Sequence, residues 1–314
     1  MQSAASAVIE FFERTGRRPI VVASYPRSGT HLLIDSLRLN FAECESRKRL
    51  GERHEALYLS LDALAALSPR EAVRRVTSAR RPVLKTHAMP DFSACGRAVD
   101  RHPYDPALVE WLRRCACWLY TYRDPRECLN SLHAMTRSET GDRRTSLAEF
   151  IRQTERGWVR PALWAHHVSG WMAGSFVYGL AMEELLASPG PTLSGIAEWC
   201  GLELPARGKW QLPARHGSVL ASRIARMFRR RPASSEVGPG IRRDGHWRTL
   251  LSIDDRRFML RHLGDLLIKL GYEDSDNWVN CAAENEPKYP AGVWADASHL
   301  QTHTPPKSSR YVAN

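Results

Sequence analysis

The sequence has no long hydrophobic run and few cysteines, and each shortage excludes a class of protein. No stretch approaches the 18 consecutive apolar residues of a membrane-spanning helix, and the first 14 residues carry Glu10 and Glu13 instead of the apolar core of a signal peptide. Seven scattered cysteines in 314 residues are few and odd in number for a secreted disulfide scaffold. We therefore expect a cytoplasmic protein without a membrane span.

Sequence patterns for metal and nucleic-acid binding are also lacking. Cys115 and Cys117 have no second Cys or His pair at zinc spacing, so we interpret both as core residues and expect no metal. The formal net charge of +11 suits an anionic ligand, nucleic acid or a membrane surface equally. Because the basic run 229–231 lies beside Pro232 and serines, without an RNA or DNA motif, we expect a solvated loop and no nucleic-acid partner.

Apolar β-type segments alternate with helical segments along the chain. This order predicts an α/β fold with a doubly wound, mainly parallel central sheet flanked by helices. The predicted strands are residues 20–25, 82–87, 117–122 and 175–180. Residues 1–280 are expected to form a single domain, and residues 281–314, which are Pro- and Ser-containing and poorly periodic, a C-terminal tail.

Capping patterns predict where several helices begin. Ser68, Ser146 and Ser252 each precede an acidic residue by three positions, which is typical of a helix N-cap. We expect the second of these helices to reach Trp158 and the third to cover residues 253–270. A further helix is expected to begin at Thr192.

The turn after the first strand, YPRSGT followed by His31, has the features of an anion site. A strand, tight turn and helix aim backbone N–H groups and a helix N-terminus at an anion, and Gly29 allows close approach. Ser28 and Thr30 offer hydroxyls and Arg27 a fixed charge. We interpret this turn as a phosphate grip for a nucleotide, with an ordinary strand-to-helix turn as the alternative.

The same turn is not a Walker A loop. In the frame G-x-x-x-x-G-K-[ST] only Thr30 fits, and Gly29 stands where the lysine belongs. No acidic residue ends a strand as a Walker B aspartate would. A kinase or GTPase is therefore disfavoured.

Reactive side chains follow two other predicted strands. Lys85 and His87 are two apart, so they point to the same side, where His87 is a candidate general base and Lys85 a partner for a leaving oxygen. Arg123 and Ser131 could reach one phosphate; a local salt bridge of Arg123 with Asp124 is the alternative. The carboxyl ends of parallel strands meet at one edge, so we expect these groups to converge with the turn.

Taken in order, these motifs resemble one family. The turn at residues 25–30, Lys85-Thr86-His87, Arg123 with Ser131, and Gly245-His246-Trp247 occur in the order found in sulfotransferases that use 3′-phosphoadenosine 5′-phosphosulfate (PAPS). The resemblance includes the W-x-x-H-V-x-G-W segment at residues 164–171 and spans roughly residues 18–272. It implies a P-loop-like sulfotransferase fold.

The resemblance also implies roles for individual residues. Arg27, where the family usually has Lys, would bind the 5′-phosphosulfate together with Ser28, Gly29, Thr30 and His31. Lys85 would lie near the sulfuryl group, His87 would be the base, and Arg123 and Ser131 would hold the 3′-phosphate. Arg242, Arg243 and Gly245 fall near the family's R-K-G-x-x-G-x-W segment, which closes over the 3′-phosphate; here its first Gly is absent.

Two departures concern the adenine, and the aromatic-rich segment carries a separate interpretation. Leu32 and Met182 stand where many family members have Trp and Tyr, so an apolar slot would persist with weaker stacking. Trp164, His167 and Trp171 follow helical spacing, and we interpret them as core residues.

The implied activity is transfer of a sulfuryl group from PAPS to the hydroxyl of a small molecule or glycan, with an amine as the less favoured acceptor and without a metal. The alternatives are a Mg²⁺-dependent P-loop small-molecule kinase and a non-catalytic nucleotide-binding protein. The acceptor pocket is expected from the loops at residues 43–58, 89–106 and 207–240. The acceptor's identity and the oligomeric state do not follow from the sequence.

Overall fold

Four parallel strands form the central sheet in the order β2-β1-β3-β6. The structure, a computed structural model, describes residues 2–45, 58–93, 104–205, 210–213 and 246–280. The sheet strands are β1 (Ile20–Ser24), β2 (Val83–Thr86), β3 (Cys117–Tyr122) and β6 (Val177–Ala181), and a separate hairpin holds β4 (Thr154–Glu155) and β5 (Trp158–Val159). The chain passes from β1 to β2 on one side and then to β3 on the other, which confirms the expected doubly wound fold.

Helices pack on both faces of the sheet. Their bounds are α1 Ala4–Thr15, α2 Thr30–Asn40, α3 Leu61–Ala65, α4 Pro69–Val76, α5 Pro106–Cys115, α6 Pro125–Thr140, α7 Leu147–Arg152, α8 Arg160–Met172, α9 Met182–Ala187, α10 Pro189–Cys200, α11 Trp247–Leu250 and α12 Ile253–Lys269, followed by a 3₁₀ turn at Asp276–Asn280. No helix of the described ranges is long and apolar enough to cross a membrane.

Alternation along β1 divides the core in two. Val21 and Ala23 face the larger apolar cluster, to which α1, α5, α6, α8 and α12 contribute. Ile20 and Val22 face a second cluster built with α2 and α10. Because β1 is buried on both faces and paired on both edges, the turn that follows it starts from a fixed point.

The capping predictions are confirmed, although several helix bounds differ from expectation. Ser68, Ser146 and Ser252 each accept a hydrogen bond from the backbone N–H three residues on. The helix expected to reach Trp158 is wrong: α7 ends at Arg152, and a hairpin follows. Arg156 and Gly157 form its turn with positive φ values of 55° and 82°, which a helix cannot contain.

Two further differences concern helices. The helix expected to begin at Thr192 begins three residues earlier, because Pro189 occupies the first turn, where a missing N–H costs nothing. Helices α1 and α5 were not predicted. The proposed tail at residues 281–314 lies outside the described residues, and the single-domain boundary at residue 280 stays a prediction.

Cys117 forms a disulfide with Cys200, which the sequence did not predict. Cys117 is buried, as its interpretation as a core residue requires, but its partner lies 83 positions along the chain at the end of α10. The bond therefore joins β3 to a helix on one face of the sheet. A pairing over that distance has no signal in local spacing.

Candidate active site

The turn between β1 and α2 holds two residues in the left-handed backbone region. Gly29 has φ +91° and Arg27 has φ +72°, a conformation that costs a non-glycine residue roughly 1–3 kcal/mol. A Cβ added at Gly29 would lie 2.6 Å from Cγ of Met182, so only glycine fits there. Met182 therefore packs directly on the turn at Gly29, and the close approach of an anion to this backbone stays a prediction.

The turn is supported from below by β3 and α6. The hydroxyl of Thr121 donates to the carbonyl of Ser28 at 3.2 Å, and the thiol of Cys128 donates to the carbonyl of Pro26 at 3.1 Å. Burial raises the pKa of this thiol to about 11, so it stays protonated and can donate, while its sulfur also lies 3.5 Å from Oγ of Ser28. These contacts fix the backbone of the turn from the side of β3 and α6.

Arg27 and Ser131 lie together. Nε of Arg27 donates to Oγ of Ser131 at 3.0 Å, across 104 positions of sequence. Burial lowers the pKa of Arg27, and the nearby guanidinium of Arg123 acts in the same direction. Three of the predicted phosphate-binding residues, on β1–α2, on β3–α6 and within α6, therefore share one region.

His87 has a fixed tautomer. Its Nδ1 lies 2.8 Å from the carbonyl oxygen of Ser24, which can only accept, so Nδ1 carries the proton and Nε2 keeps a free lone pair. The hydroxyl of Ser24 lies 3.3 Å from the same nitrogen and 2.6 Å from Oγ1 of Thr30. The Ser24 carbonyl of β1 therefore leaves Nε2 as the nitrogen of His87 that can act as a base.

The electrostatics of this region keep His87 neutral. The pKa of His87 is lowered to about 4, mainly by burial and to a smaller extent by the cations of Lys85 and Arg27, whereas the Ser24 carbonyl works in the opposite direction. Arg27 acts on the pKa of His87 and Arg123 acts on that of Arg27, so these three strand-end groups lie in one region, as expected from the topology.

Helix α8 holds the backbone around His87. Nε2 of His167 donates to the carbonyl of His87 at 3.3 Å, and Nδ1 accepts from the hydroxyl of Tyr120 at 2.7 Å. The indole N–H of Trp171 donates to the carbonyl of Ala88 at 3.0 Å. Both side chains are buried, which agrees with their interpretation as core residues, and sequence reasoning missed that they fix the base.

Lys85 is half-buried beside α2. Its Nζ lies 3.1 Å from Nε2 of His31, and burial lowers its pKa while the carboxylate of Asp62 raises it. The His31 ring stacks on Tyr58, with centroids 3.9 Å apart. Tyr58 was not predicted as a site residue, because it lies in a loop 27 positions from both partners.

Arg123 is buried, 6% exposed, at the end of β3. The alternative of a local pair with Asp124 is not what forms: Asp124 binds Arg126 at 2.7 Å. Nε of Arg123 has no hydrogen-bond partner among the described residues. A buried guanidinium donor of this kind is costly unless a ligand completes it, so the position fits an anion.

Glu183, at the start of α9, completes the surroundings of Arg123. Its carboxylate accepts from the N–H of Asp124 at 3.1 Å and the hydroxyl of Tyr272 at 3.0 Å. Burial raises its pKa to about 7, and the cation of Arg123 lowers it. The remaining predicted residues, Arg242, Arg243 and Gly245, lie outside the described residues.

No group of three or more His, Cys, Asp or Glu residues that could hold a metal ion occurs in the described part of the chain. The site instead gathers three cations, Arg27, Lys85 and Arg123, with one neutral imidazole around a helix N-terminus. Such a set can bind an anion with two charged ends and place a base beside it.

Comparison with known proteins identifies the family of this chain. A mouse sulfotransferase in complex with PAP has a TM-score of 0.47 and 16% identity, over 91% of this chain and 94% of that one. Retinol dehydratase in complex with androsterone and the inactive cofactor PAP has a TM-score of 0.49 and 15% identity, over 82% and 81%. No curated protein sequence matches. The family model of the sulfotransferase domain matches residues 17–243, and the chain therefore belongs to the sulfotransferase family.

Proposed function

We propose that this sulfotransferase moves a sulfuryl group from PAPS to an acceptor hydroxyl, with His87 as the general base. The observation that carries the proposal is the tautomer of His87, whose Nε2 holds the lone pair of a neutral imidazole, close enough to Arg27 and Lys85 for their charges to act on it. The acceptor O–H gives its proton to Nε2 while the oxygen attacks sulfur. The bond from sulfur to the bridging phosphate oxygen breaks, and 3′,5′-bisphosphoadenosine leaves.

The turn at residues 27–31 would hold the 5′-phosphosulfate. Charge grows on the bridging oxygen as the bond to sulfur breaks, so the cations of Arg27 and Lys85 stabilise the transition state more than the ground state. These two cations do the neutralising, so the proposed step uses no metal ion. Met182, predicted to border the adenine, is buried against Gly29.

Arg123 and Ser131 would hold the 3′-phosphate. The support is the buried Nε of Arg123 without a described partner and the position of Ser131 beside Arg27. Each charge-assisted hydrogen bond to the phosphate is worth roughly 1.5–3 kcal/mol. The roles of Arg242, Arg243 and Gly245 stay predictions from the resemblance.

The acceptor class in this proposal is the hydroxyl of a small molecule or glycan, with an amine as the less favoured acceptor. Its pocket would be formed by the loops at residues 43–58, 89–106 and 207–240, of which the structure describes only parts. A cytoplasmic location stays a prediction, and the Cys117–Cys200 disulfide does not support it, because such bonds are typical of oxidising compartments.

The experiment that tests this function combines a binding assay with a transfer assay. Thermal shifts with 3′,5′-bisphosphoadenosine, AMP and ATP with Mg²⁺ separate the sulfotransferase from the kinase alternative, which needs the triphosphate. Sulfuryl transfer from PAPS to phenols, sugars and aliphatic alcohols then separates an enzyme from a binding protein.

The variant His87→Asn tests the base. We expect turnover to fall by about 10²–10⁴-fold while bisphosphoadenosine still stabilises the protein. His166→Asn is the matched control, since His166 is exposed and stacks on the exposed ring of Trp158. Turnover retained in His87→Asn would show that another group takes the proton.

A further inference from the structure

His31 occupies a position that couples the β1–α2 turn to Lys85. It is the second residue of α2, directly after Thr30, and its side chain is exposed. Its Nε2 lies 3.1 Å from Nζ of Lys85. An ammonium group can only donate, so in this contact Nε2 accepts and the imidazole is neutral, with its proton on Nδ1.

The plane of the His31 ring is fixed by Tyr58. The two rings are stacked at 3.9 Å with an interplanar angle of 17°. Tyr58 is 7% exposed, and its hydroxyl donates to Asp35 of α2 at 2.7 Å. Because the stack fixes the plane of the His31 ring, the lone pair of Nε2, which lies in that plane, points towards Lys85.

The backbone brings Tyr58 to this place. The N–H of Lys85 donates to the carbonyl of Leu59 at 2.9 Å, and Ser60 forms a parallel bridge with Lys85. Residues 58–60 thus add to the outer edge of β2. Both the side chain and the backbone of Lys85 are tied to the stack, so its ammonium has little freedom to turn away.

The contact with Lys85 requires the neutral form of His31. The groups near the pair include the cation of Arg38, the carboxylates of Asp35 and Asp62, and the phenol of Tyr58. A protonated imidazole 3.1 Å from the ammonium would repel it, and it would offer no acceptor. Lys85 keeps two further N–H donors for an anion bound at the turn.

We propose that His31 is a positioning residue for sulfuryl transfer: its neutral imidazole accepts a hydrogen bond from Lys85 and holds the ammonium beside the β1–α2 turn. The inference rests on the proposed function, because it assigns Lys85 to the leaving group.

The first test measures the chemical reactivity of the Lys85 amine and does not require enzyme activity. Competitive acetylation followed by peptide mass spectrometry gives the labelling of Lys85 relative to Lys269, which is exposed on α12. His31→Ala removes the acceptor and favours the reactive neutral amine, so we expect relative labelling to rise about 3- to 10-fold. His31→Gln keeps an acceptor oxygen at a similar reach and should label like the wild type.

The second test is a double-variant cycle in the transfer assay. His31→Ala should lower kcat about tenfold with little change in the KM for PAPS, and it should add little when Lys85 is already Met. His31→Gln should restore most of kcat, and His262→Gln is the matched control on α12.

The outcomes separate the two proposals. If the wild type transfers no sulfuryl group, the proposed function fails while the labelling result still reports the His31–Lys85 contact. Unchanged labelling in His31→Ala, equal effects of the Ala and Gln variants, or additive losses with Lys85→Met would each overturn the role of His31.

Discussion

The pKa of His87 provides the sharpest quantitative prediction. Burial lowers it from 6.5 to about 4, so the neutral form is favoured by about 3 kcal/mol relative to a solvated imidazole. At pH 5 an ordinary histidine is only about 3% neutral, whereas His87 would be about 90% neutral, a gain of roughly thirtyfold in available base. The acid limb of kcat/KM should therefore fall near pH 4.

The direction of the shift also sets how stability depends on pH. The unfolded chain binds a proton on this histidine below about pH 6.5, and the folded protein binds it only near pH 4. Between these values the unfolded state holds more protons, so His87 makes the folded protein less stable as the pH falls through that window. Above pH 6.5 the residue has no such effect.

A titration followed by NMR measures the value directly. The chain has 12 histidines, and the signal of His87 is assigned by its loss in His87→Asn. Lys85→Met removes the larger of the two cationic contributions, so the pKa of His87 should rise in that variant but stay below 6.5, because burial is the main cause. Arg27→Met should produce a smaller rise.

Two results would refute this reasoning. If His87 titrates near 6.5 in the wild type, the ring is solvated and the site does not keep the base neutral by burial. If Lys85→Met leaves the pKa unchanged, Lys85 and His87 do not share one region, and the proposed leaving-group role of Lys85 loses its support.

Two further predictions concern the ends of β3. Arg123→Gln should weaken binding of bisphosphoadenosine by about tenfold or more and leave AMP binding almost unchanged, as measured by calorimetry. Arg144→Gln, at an exposed position, is the control. An equal loss of affinity for both nucleotides in Arg123→Gln would place the 3′-phosphate elsewhere. Reduction of the Cys117–Cys200 disulfide, which closes a loop of 83 residues, should lower the free energy of unfolding by up to about 4–5 kcal/mol, and a Tm that reductant does not change would contradict this.

The strand ends were predictable because their signal is local. Cys117–Tyr122 was predicted as a strand with the bounds that the structure gives, since a run of apolar and aromatic residues ends at a charged turn. Once parallel strands are inferred, Arg27, His87 and Arg123 must meet at one edge, and the influence of their charges on one another agrees. The parallel strand order was therefore enough to predict that these three residues lie in one region.

The supports of the site were not predictable, because they depend on contacts between distant parts of the chain. The carbonyl of Ser24 sets the tautomer of His87, and a backbone oxygen leaves no trace in sequence. His167 lies 80 positions from the carbonyl that it binds, and its helical spacing indicated only burial. Tyr58 is brought close to Lys85 by the backbone bridge between Ser60 and Lys85, in a segment with no strand pattern.

The hairpin after α7 shows a different kind of failure. The capping box at Ser146 correctly placed the helix start, but nothing in the apolar spacing marked its end at Arg152. Positive φ at Arg156 is uncommon for a residue with a side chain, so residue preference gave no warning there; only Gly157 signalled a turn. Helix ends depend on such single residues more than helix starts do.

A buried ionic cluster around Arg126, three residues after Arg123, holds the turn between β3 and α6. Arg126 binds Asp124 and Glu273, and its guanidinium lies 4.0 Å from the ring centroid of Trp247 and 4.7 Å from that of Trp278. Each partner is itself buried or mostly buried, and Arg248 adds a second cation beside Glu273, so the charges of the cluster pair mainly with one another.

This separation explains how a costly donor can persist in the folded protein. Leaving the Nε of Arg123 buried without a described partner costs on the order of 1–3 kcal/mol of folding free energy. The contacts of Arg126 offset this cost, because they fix the turn at the residues that follow Arg123. Residues 246–280 contribute two rings and a carboxylate to that cluster. The C-terminal segment therefore helps to fix the β3–α6 turn, and the proposed 3′-phosphate would complete the hydrogen bond of Arg123 without further ordering of that turn.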